Sequence, residues 1–151
     1  MIDVSSNGYR LDATETFGSH YARLRSKQRN GHYDTSGDVE GQFHLVWPNI
    51  KVNVMPGRPN MSIGPLVPEG PERTRGFLDY FFAEDSGPAW IADFLTLDTQ
   101  VGVEDRVLVE SVQSGMRSGA FEKGQLMLPS EELIGEFQRW VAANLDGAGP
   151  G

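Results

Sequence analysis

The sequence predicts an α+β protein in which several antiparallel strands are followed by helices that pack on one face of the sheet. From Tyr9 to about Glu84, short apolar segments alternate with glycine, proline and asparagine, as in strands joined by hairpins. After Gly87 the apolar period lengthens from two residues to about 3.6, which is typical of helices. The 151 residues are enough for one domain with its own core. We expect that domain to span 1–146, with 147–151 as a flexible Gly- and Pro-rich tail.

The first half of the chain contains the first predicted hairpin. Tyr9 to Phe17 alternates apolar and polar residues, and the polar stretch from Ser26 to Gly41 is expected to be an exposed loop. Gln42 to Trp47 and Ile50 to Met55 each alternate, and Pro48-Asn49 between them indicates a turn. These two segments are therefore predicted to pair.

A second strand pair is predicted from Met61 to Val67 and from Gly76 to Ala83. The linker VPEGPER contains prolines and a glycine that are expected to end both strands. Within this pair, Phe77 to Phe82 is apolar on both faces, which favours a central position in the sheet.

A long helix is predicted to follow Gly87-Pro88. Gly102 lies inside it, costs about 1 kcal/mol relative to alanine and favours a kink or break there. Steps of three and four residues along this helix give an apolar stripe made of Phe94, Val101, Leu108 and Val112.

The last predicted helix begins after Pro129. Ser130 is the expected N-cap, and Glu131 and Glu132 suit the positive end of the helix dipole. Its expected buried stripe consists of Leu133, Ile134, Phe137, Val141 and Leu145.

Charge and composition exclude several classes of function. The net charge is -8 and Lys and Arg are not clustered, so no nucleic-acid partner is expected. No apolar stretch approaches the ~18 residues of a membrane span, and the opening MIDVSSN lacks the features of a secretory signal, so we expect a cytoplasmic protein. The absence of cysteine excludes disulfides and any iron–sulfur cluster bound within this chain.

Two carboxylates fall on the apolar stripe of the long helix, at Asp98 and Asp105. Aspartate is seldom buried unless it is paired or binds a metal, because desolvation disfavours an isolated charge. One interpretation is therefore metal ligation. The other is that the helix breaks at Gly102, and that the aspartates cap a turn or pair with an arginine such as Arg106 or Arg117.

The remaining chemistry-bearing residues suggest no active site by themselves. Non-haem iron(II) commonly binds two histidines and one carboxylate, but His20, His32 and His44 are not displayed as a pair on one element. We therefore interpret them as surface or hydrogen-bonded histidines. Without cysteine or a Gly-x-Ser-x-Gly elbow, hydrolase chemistry is not expected, and no glycine-rich loop indicates nucleotide binding.

The segment QVGVEDRVLVESVQSGMRSG, from Gln100 to Gly119, resembles the late helix of Rieske-type ring-hydroxylating oxygenase α subunits. Gly41 to Phe82 resembles the sheet of that family's catalytic domain, and LPSEELIGEFQRWVAANL resembles its final helix. The resemblance implies a helix-grip fold of the START/SRPBCC type, in which a curved antiparallel sheet wraps a long helix and leaves a substrate cavity. It also implies that Asp105, the second acid of the Glu-Asp pair, is the carboxylate ligand of the catalytic iron.

The resemblance further implies an oxygenase that uses O2 to hydroxylate or demethylate a small organic substrate, with aromatic acids and quaternary amines both open. The iron is a mononuclear Fe(II). Complete members carry a Rieske domain with a [2Fe-2S] cluster and two iron-binding histidines upstream, receive electrons from a reductase, and assemble as trimers or larger oligomers. No counterpart of the upstream segment is present here. We therefore expect a catalytic domain that is truncated on its N-terminal side and inactive alone.

The residues expected to line the substrate pocket are Phe43, Leu45, Trp47, Phe81, Asp98 and Val101. Three origins of such a chain remain open: a truncated gene, a shortened reading frame, or one half of a split enzyme whose partner chain supplies the cluster and the histidines. Two other functions also remain open. One is a metal-free helix-grip module that binds a small apolar ligand, and the other is a non-functional remnant that exposes apolar sheet surface.

Overall fold

The computed structural model describes residues 2–3, 9–24, 33–37, 40–120, 123–127 and 130–147. These residues form eight strands and then two helices, which confirms the predicted α+β architecture. The strands are β1 (Ile2–Asp3), β2 (Tyr9–Ala13), β3 (Phe17–Leu24), β4 (Glu40–Val46), β5 (Ile50–Val54), β6 (Asn60–Gly70), β7 (Arg73–Gly76) and β8 (Asp79–Phe82). The helices are α1 (Pro88–Arg117) and α2 (Glu132–Gly147).

All strand pairings are antiparallel. β3, β4, β5 and β6 follow one another across the sheet; β1 and β2 both pair with β3, and β7 and β8 both pair with β6. The predicted hairpin of β4 and β5 is confirmed, with a turn at 47–49. Only the edges of the predicted 26–41 loop, at 33–37 and 40–41, lie within the described residues, and 40–41 belong to β4.

The sheet has an inner face, which we define as the one that meets the helices. Tyr80 and Phe82 of β8 lie on it and pack against Phe94 of α1. Residues that are paired on neighbouring strands point to the same side of the sheet, so the strand register identifies the inner-face residues of every other strand. In β5 it is Lys51 and Asn53 that face inward, and the apolar Ile50, Val52 and Val54 point to the outer face.

Two strand predictions were wrong. β6 does not stop at Val67 but continues through Pro68 to Gly70, and its pairing with β7 shifts register between Pro68 and Gly70. Proline is tolerated there because only the edge strand β7 pairs with that end of β6. β8 is not central, since among the described residues it pairs only with β6. Its outer-face residue Phe81 is 53% exposed.

The core lies at the N-terminal end of α1. Trp90 and Phe94 are buried together with Tyr33, and Tyr80 and Phe82 complete this aromatic cluster. Its polar atoms have partners, because Trp90 Nε1 donates to the Asp34 carbonyl at 2.7 Å and the Tyr33 hydroxyl donates to the Pro56 carbonyl at 2.9 Å. Burial, and then the nearby Asp98 carboxylate, raise the pKa of Tyr33 to about 12.

α1 runs without a break through Gly102, so the predicted break is wrong, and a kink at that position stays a prediction. The apolar stripe is buried at Phe94, but Leu108 is 64% exposed and Val112 is 56% exposed. Neither helix, within the described residues, contains a segment apolar and long enough to cross a membrane.

α2 lies across β2 and β3 through a contact that the sequence analysis did not predict. The Trp140 ring covers Gly18. A Cβ atom at that position would lie 3.4 Å from the ring and 3.7 Å from the Leu133 side chain. Of the expected stripe, Leu133 and Val141 are partly buried, whereas Ile134, Phe137 and Leu145 are exposed. Ser130 is not seen capping the helix: its hydroxyl donates to the Met127 carbonyl at 2.8 Å, and the helix begins at Glu132. The predicted domain limit at residue 146 is not tested, and 148–151 lie outside the described residues.

Candidate functional site

A cavity of about 600 Å³ lies between the inner face of the sheet and the two helices. Its sheet wall includes His20, Phe43, Leu45, Lys51, Asn53 and Leu66. Its helical walls are Asp98, Val101, Gly102 and Asp105 from α1, and Leu133 and Trp140 from α2. A largely apolar enclosure with a few polar groups is the usual form of a small-molecule site.

The cavity brings together most of the residues that the sequence analysis assigned to a site. Phe43, Leu45, Asp98 and Val101 line it, and so does Asp105.

Two of the expected pocket residues lie elsewhere. Trp47 follows the end of β4 and packs against Phe137 and Trp140 of α2, at ring distances of 5.8 and 6.0 Å. Phe81 points to the outer face, because its β6 partner Met61 and its neighbours fix the alternation of β8. These two side chains therefore do not line this cavity.

Within the described part of the chain, Asp98 neither caps a turn nor pairs with an arginine. Its carboxylate accepts a hydrogen bond of 2.5 Å from the Tyr80 hydroxyl, which reaches α1 from the inner face of β8. Burial, and then this hydrogen bond, raise the pKa of Tyr80 above its ordinary range. Arg117, which was considered as a partner for the aspartates, binds Glu72 instead. Asp98 is thus a half-buried carboxylate held at the cavity wall by one tyrosine.

Asp105 lies two helical turns beyond Asp98 on the same wall. It makes no ion pair or side-chain hydrogen bond with the described residues, whereas its neighbour Glu104 accepts a hydrogen bond from Gln100 on another side of the helix. Asp105 is exposed, contrary to the burial expected for the apolar stripe, and it lines the cavity with a carboxylate that has no partner among the described residues.

The histidines divide between the two faces of the sheet. The His44 ring lies on the outer face, where Nδ1 is 2.8 Å from the Ser19 hydroxyl and the ring stacks on Phe17, so it is hydrogen-bonded as expected. His20 lies in the cavity wall, and its buried Nε2 finds no partner among the described residues, contrary to expectation. Burial lowers the pKa of both histidines. His32 lies outside the described residues.

The described residues do not by themselves form an iron site. A mononuclear non-haem iron(II) centre commonly takes two histidines and one carboxylate. Within the parts of the chain that the structure describes, no three or more His, Asp or Glu side chains converge closely enough to hold a metal ion. Asp105 could serve as one carboxylate ligand, but the described residues do not supply the two histidines that such a centre also needs.

Sequence reasoning missed His20, Lys51 and Trp140 as cavity residues. Lys51 had a signal, since it alternates with Ile50 and Val52, but alternation alone does not tell which of the two faces is covered. Trp140 was missed because the predicted buried face of α2 included Phe137 and Val141 but not Trp140, which immediately precedes Val141.

Comparisons with known proteins are consistent across sequence and structure. The family model described as ring hydroxylating alpha subunit (catalytic domain) matches residues 3–147. Choline monooxygenase, chloroplastic, of Amaranthus tricolor is 30% identical over 147 residues, which are 95% of this chain and 32% of that protein. The Arabidopsis thaliana protein of the same name is 32% identical over 110 residues, which are 72% of this chain and 25% of that protein.

A solved structure is similar in fold. The crystal structure of the quaternary ammonium Rieske monooxygenase CntA, in complex with an inhibitor, superposes with a TM-score of 0.74 at 26% identity. The match covers 93% of this chain and 39% of that one. The chain thus spans about a third of the length of these relatives.

Proposed function

This chain belongs to the ring-hydroxylating α-subunit family, as part of its Rieske-type oxygenase catalytic domain, and we propose that it encloses the substrate and supplies one ligand, Asp105, to the catalytic iron. The observation that carries the proposal is the uncommitted Asp105 carboxylate in the wall of an apolar cavity. That carboxylate stands on the helix whose sequence resembles the family's iron-ligand segment.

The remaining parts of the centre come, in this proposal, from polypeptide outside the described residues. Two histidines are needed beside Asp105, and the [2Fe-2S] cluster needs thiolates that a chain without cysteine does not have. A mononuclear iron held by Asp105 and two histidines would supply oxygen activation. The chain's own contribution is to bind and orient the substrate and to exclude water from it.

For the substrate we propose a small organic molecule with a quaternary ammonium group. Two relatives bear the names choline monooxygenase and quaternary ammonium monooxygenase. The cavity has the corresponding chemistry, because the Phe43 and Trp140 rings line it and the Asp98 carboxylate stands in its wall. Aromatic faces and a carboxylate both attract a methylated cation.

The test is anaerobic iron(II) binding. The purified chain is measured alone and after mixing with a separately expressed upstream polypeptide that carries a Rieske domain. We expect about one iron per chain above the Rieske cluster only in the mixture, and loss of that iron in Asp105→Ala. Glu104→Ala is the matched control, since Glu104 is the adjacent acid but is not among the cavity-lining residues.

Iron binding that survives Asp105→Ala would sink the assignment of this ligand. If neither sample binds iron while the chain is folded and monomeric, a metal-free ligand-binding module becomes the better interpretation. That second function is favoured by one observation, namely that elements of this chain alone line a half-open cavity of small-molecule size.

A further inference from the structure

A second, smaller cavity of about 250 Å³ adjoins the cavity described above. Lys51, Leu66 and Leu78 line both, so the two spaces meet at those side chains. From there the smaller one extends to Gly76 and Phe77, which are exposed. We call it the side chamber, and the larger one the main cavity. The side chamber lies at the rim of the sheet, where β6 meets β7 and β8.

One wall of the side chamber is the segment Phe77–Leu78, which we call the strap. It joins β7 to β8. β6 pairs with Gly76 before the strap and with Asp79 after it, but within the described residues neither strap residue has a register partner. Strand pairing therefore anchors both ends of the strap and leaves its middle outside the ladder.

The strap crosses the inner face of the sheet at Gly64. Gly64 lies on that face because it pairs with Lys51 of β5. A Cβ atom at position 64 would lie 1.8 Å from the Phe77 carbonyl oxygen and 3.2 Å from the Leu78 Cα, so no larger residue fits under the strap. Glycine thus permits a close approach that holds the strap against the sheet where the two cavities meet.

The side chains around the strap are apolar and leave the side chamber open to solvent. Phe77 is 61% exposed and Leu66 is 39% exposed, although both are large apolar residues. Leu78, in contrast, is half-buried and stands where the side chamber meets the main cavity. A movement of Leu78 would therefore widen or close the connection without breaking any strand pairing.

We propose that the strap is a gate, through which small molecules enter and leave the main cavity by way of the side chamber, with Leu78 closing the connection. Short segments commonly control access to enclosed sites in this way, by motions on the microsecond to millisecond timescale. The gate concerns the route of a ligand and not its identity. It therefore serves an oxygenase and a metal-free binding module alike, and iron binding through Asp105 does not depend on it.

The experiment measures how fast a thiol inside the main cavity is modified. The chain has no cysteine, so Leu45→Cys introduces a single thiol, half-buried in the sheet wall of the main cavity. The probe is a methanethiosulfonate reagent that carries a trimethylammonium group, and mass spectrometry follows its addition. Two gate variants are made in the Leu45→Cys chain. Leu78→Ala removes most of the side chain at the connection, and Leu78→Trp enlarges it.

We expect Leu78→Ala to speed the modification by about tenfold or more, and Leu78→Trp to slow it by a similar factor. General loosening of the fold would speed the reaction in both variants, so opposite signs are specific to a gate. Leu78→Phe is a milder narrowing variant, and it replaces Leu78→Trp if circular dichroism shows that the tryptophan perturbs the fold.

Two controls separate the gate from other effects. Val67→Trp introduces the same ring on β6, next to Leu66 but on the outer face and away from both cavities, and should leave the rate at Leu45→Cys unchanged. Met127→Cys places the thiol at a position that is 68% exposed and lines neither cavity. Its modification rate should be the same with every residue at position 78.

Unchanged rates in both Leu78 variants, or changes of the same sign, would overturn the gate and show that the reagent reaches the main cavity from another side. The proposed function would stand in that case, because iron binding in the presence of the upstream polypeptide tests it separately.

Discussion

The two halves of α1 carry the same apolar stripe into different surroundings. In the first half, Trp90 and Phe94 are buried in the aromatic cluster, and Phe94 is only 3% exposed. In the second half, Leu108, Val112 and Met116 continue the stripe but are exposed. α1 is one uninterrupted helix from Pro88 to Arg117, so the difference does not come from its backbone.

The difference comes from what stands opposite. Tyr80 and Phe82 reach the first half from β8, and the middle of the helix lines the cavity, whereas the apolar side chains of the second half stay exposed among the described residues. Burial of an apolar side chain stabilises a fold only where another element covers it. The first half therefore contributes buried apolar surface to the core, and the apolar side chains beyond it contribute little.

The largest expected effect separates the two halves directly. Phe94→Ala should destabilise the chain by about 3–5 kcal/mol, because it empties a buried aromatic site. Val112→Ala, on the same stripe, should change the free energy of unfolding by less than about 0.5 kcal/mol, since its side chain already meets solvent. Urea unfolding followed by far-ultraviolet circular dichroism measures both. A comparable loss in Val112→Ala would mean that the second half is covered in solution.

A smaller effect is expected where the first half meets the cavity. Tyr80→Phe removes the hydrogen bond to Asp98 and should cost about 1 kcal/mol, because this bond to a charged group is half-exposed. The raised pKa of Tyr80 predicts a pH dependence as well. Tyrosine ionises near pH 10 when unfolded, so native stability should fall as the pH rises above about 10, and fall less in Tyr80→Phe. Identical alkaline unfolding curves for the two proteins would contradict this account.

At the boundary between the halves, Gly102→Ala should stabilise the chain by about 1 kcal/mol. Gly102 is in mid-helix, and a methyl group there would meet no atom within 4 Å. Gly64→Ala is the contrasting control, because its methyl group would overlap the Phe77 carbonyl and should destabilise the sheet. Thermal unfolding of both variants makes the comparison, and a destabilised Gly102→Ala would show that the cavity wall depends on glycine.

The smallest effect is expected at the far end of α1. Glu72→Gln weakens the ion pair between Arg117 and the turn that joins β6 to β7. Both side chains are exposed, so water screens the pair and the unfolding midpoint should not change measurably. High salt should leave it equally unchanged. A clear drop in the midpoint would indicate that this pair anchors the second half of the helix against the sheet.

The order of strands and helices could be predicted from the sequence. Which side chains of each strand face the helices could not. Period-two alternation correctly separated Lys51 and Asn53 from Ile50 and Val52, yet it assigns no direction to either set. The same ambiguity placed Phe81 in the cavity, although β8 turns Tyr80 inward instead. Direction depends on which strand reaches the helix, and that is decided by long-range contacts.

The candidate site was accessible to sequence reasoning where a helix carries it. Asp98, Val101 and Asp105 share one face of α1 because 3.6-residue periodicity fixes their relative positions. The positions of Tyr80 and His20 could not be predicted in this way, because they depend on which strands pair with β8 and β3. Sequence periodicity thus predicted the helix wall and left most of the sheet wall unresolved.

The three tryptophans give the chain two separate optical reporters. Trp90 is enclosed by the α1 cluster, where it should emit at short wavelength, whereas Trp47 and Trp140 lie 6.0 Å apart where α2 meets the sheet. Indole rings this close couple their intense far-ultraviolet transitions, so a dichroic couplet is expected there only while α2 is docked. In a Trp90→Phe chain the remaining emission follows the α2 end alone. Ligand entry beside Trp140 and the integrity of the α1 core can therefore be observed independently, without attaching a label.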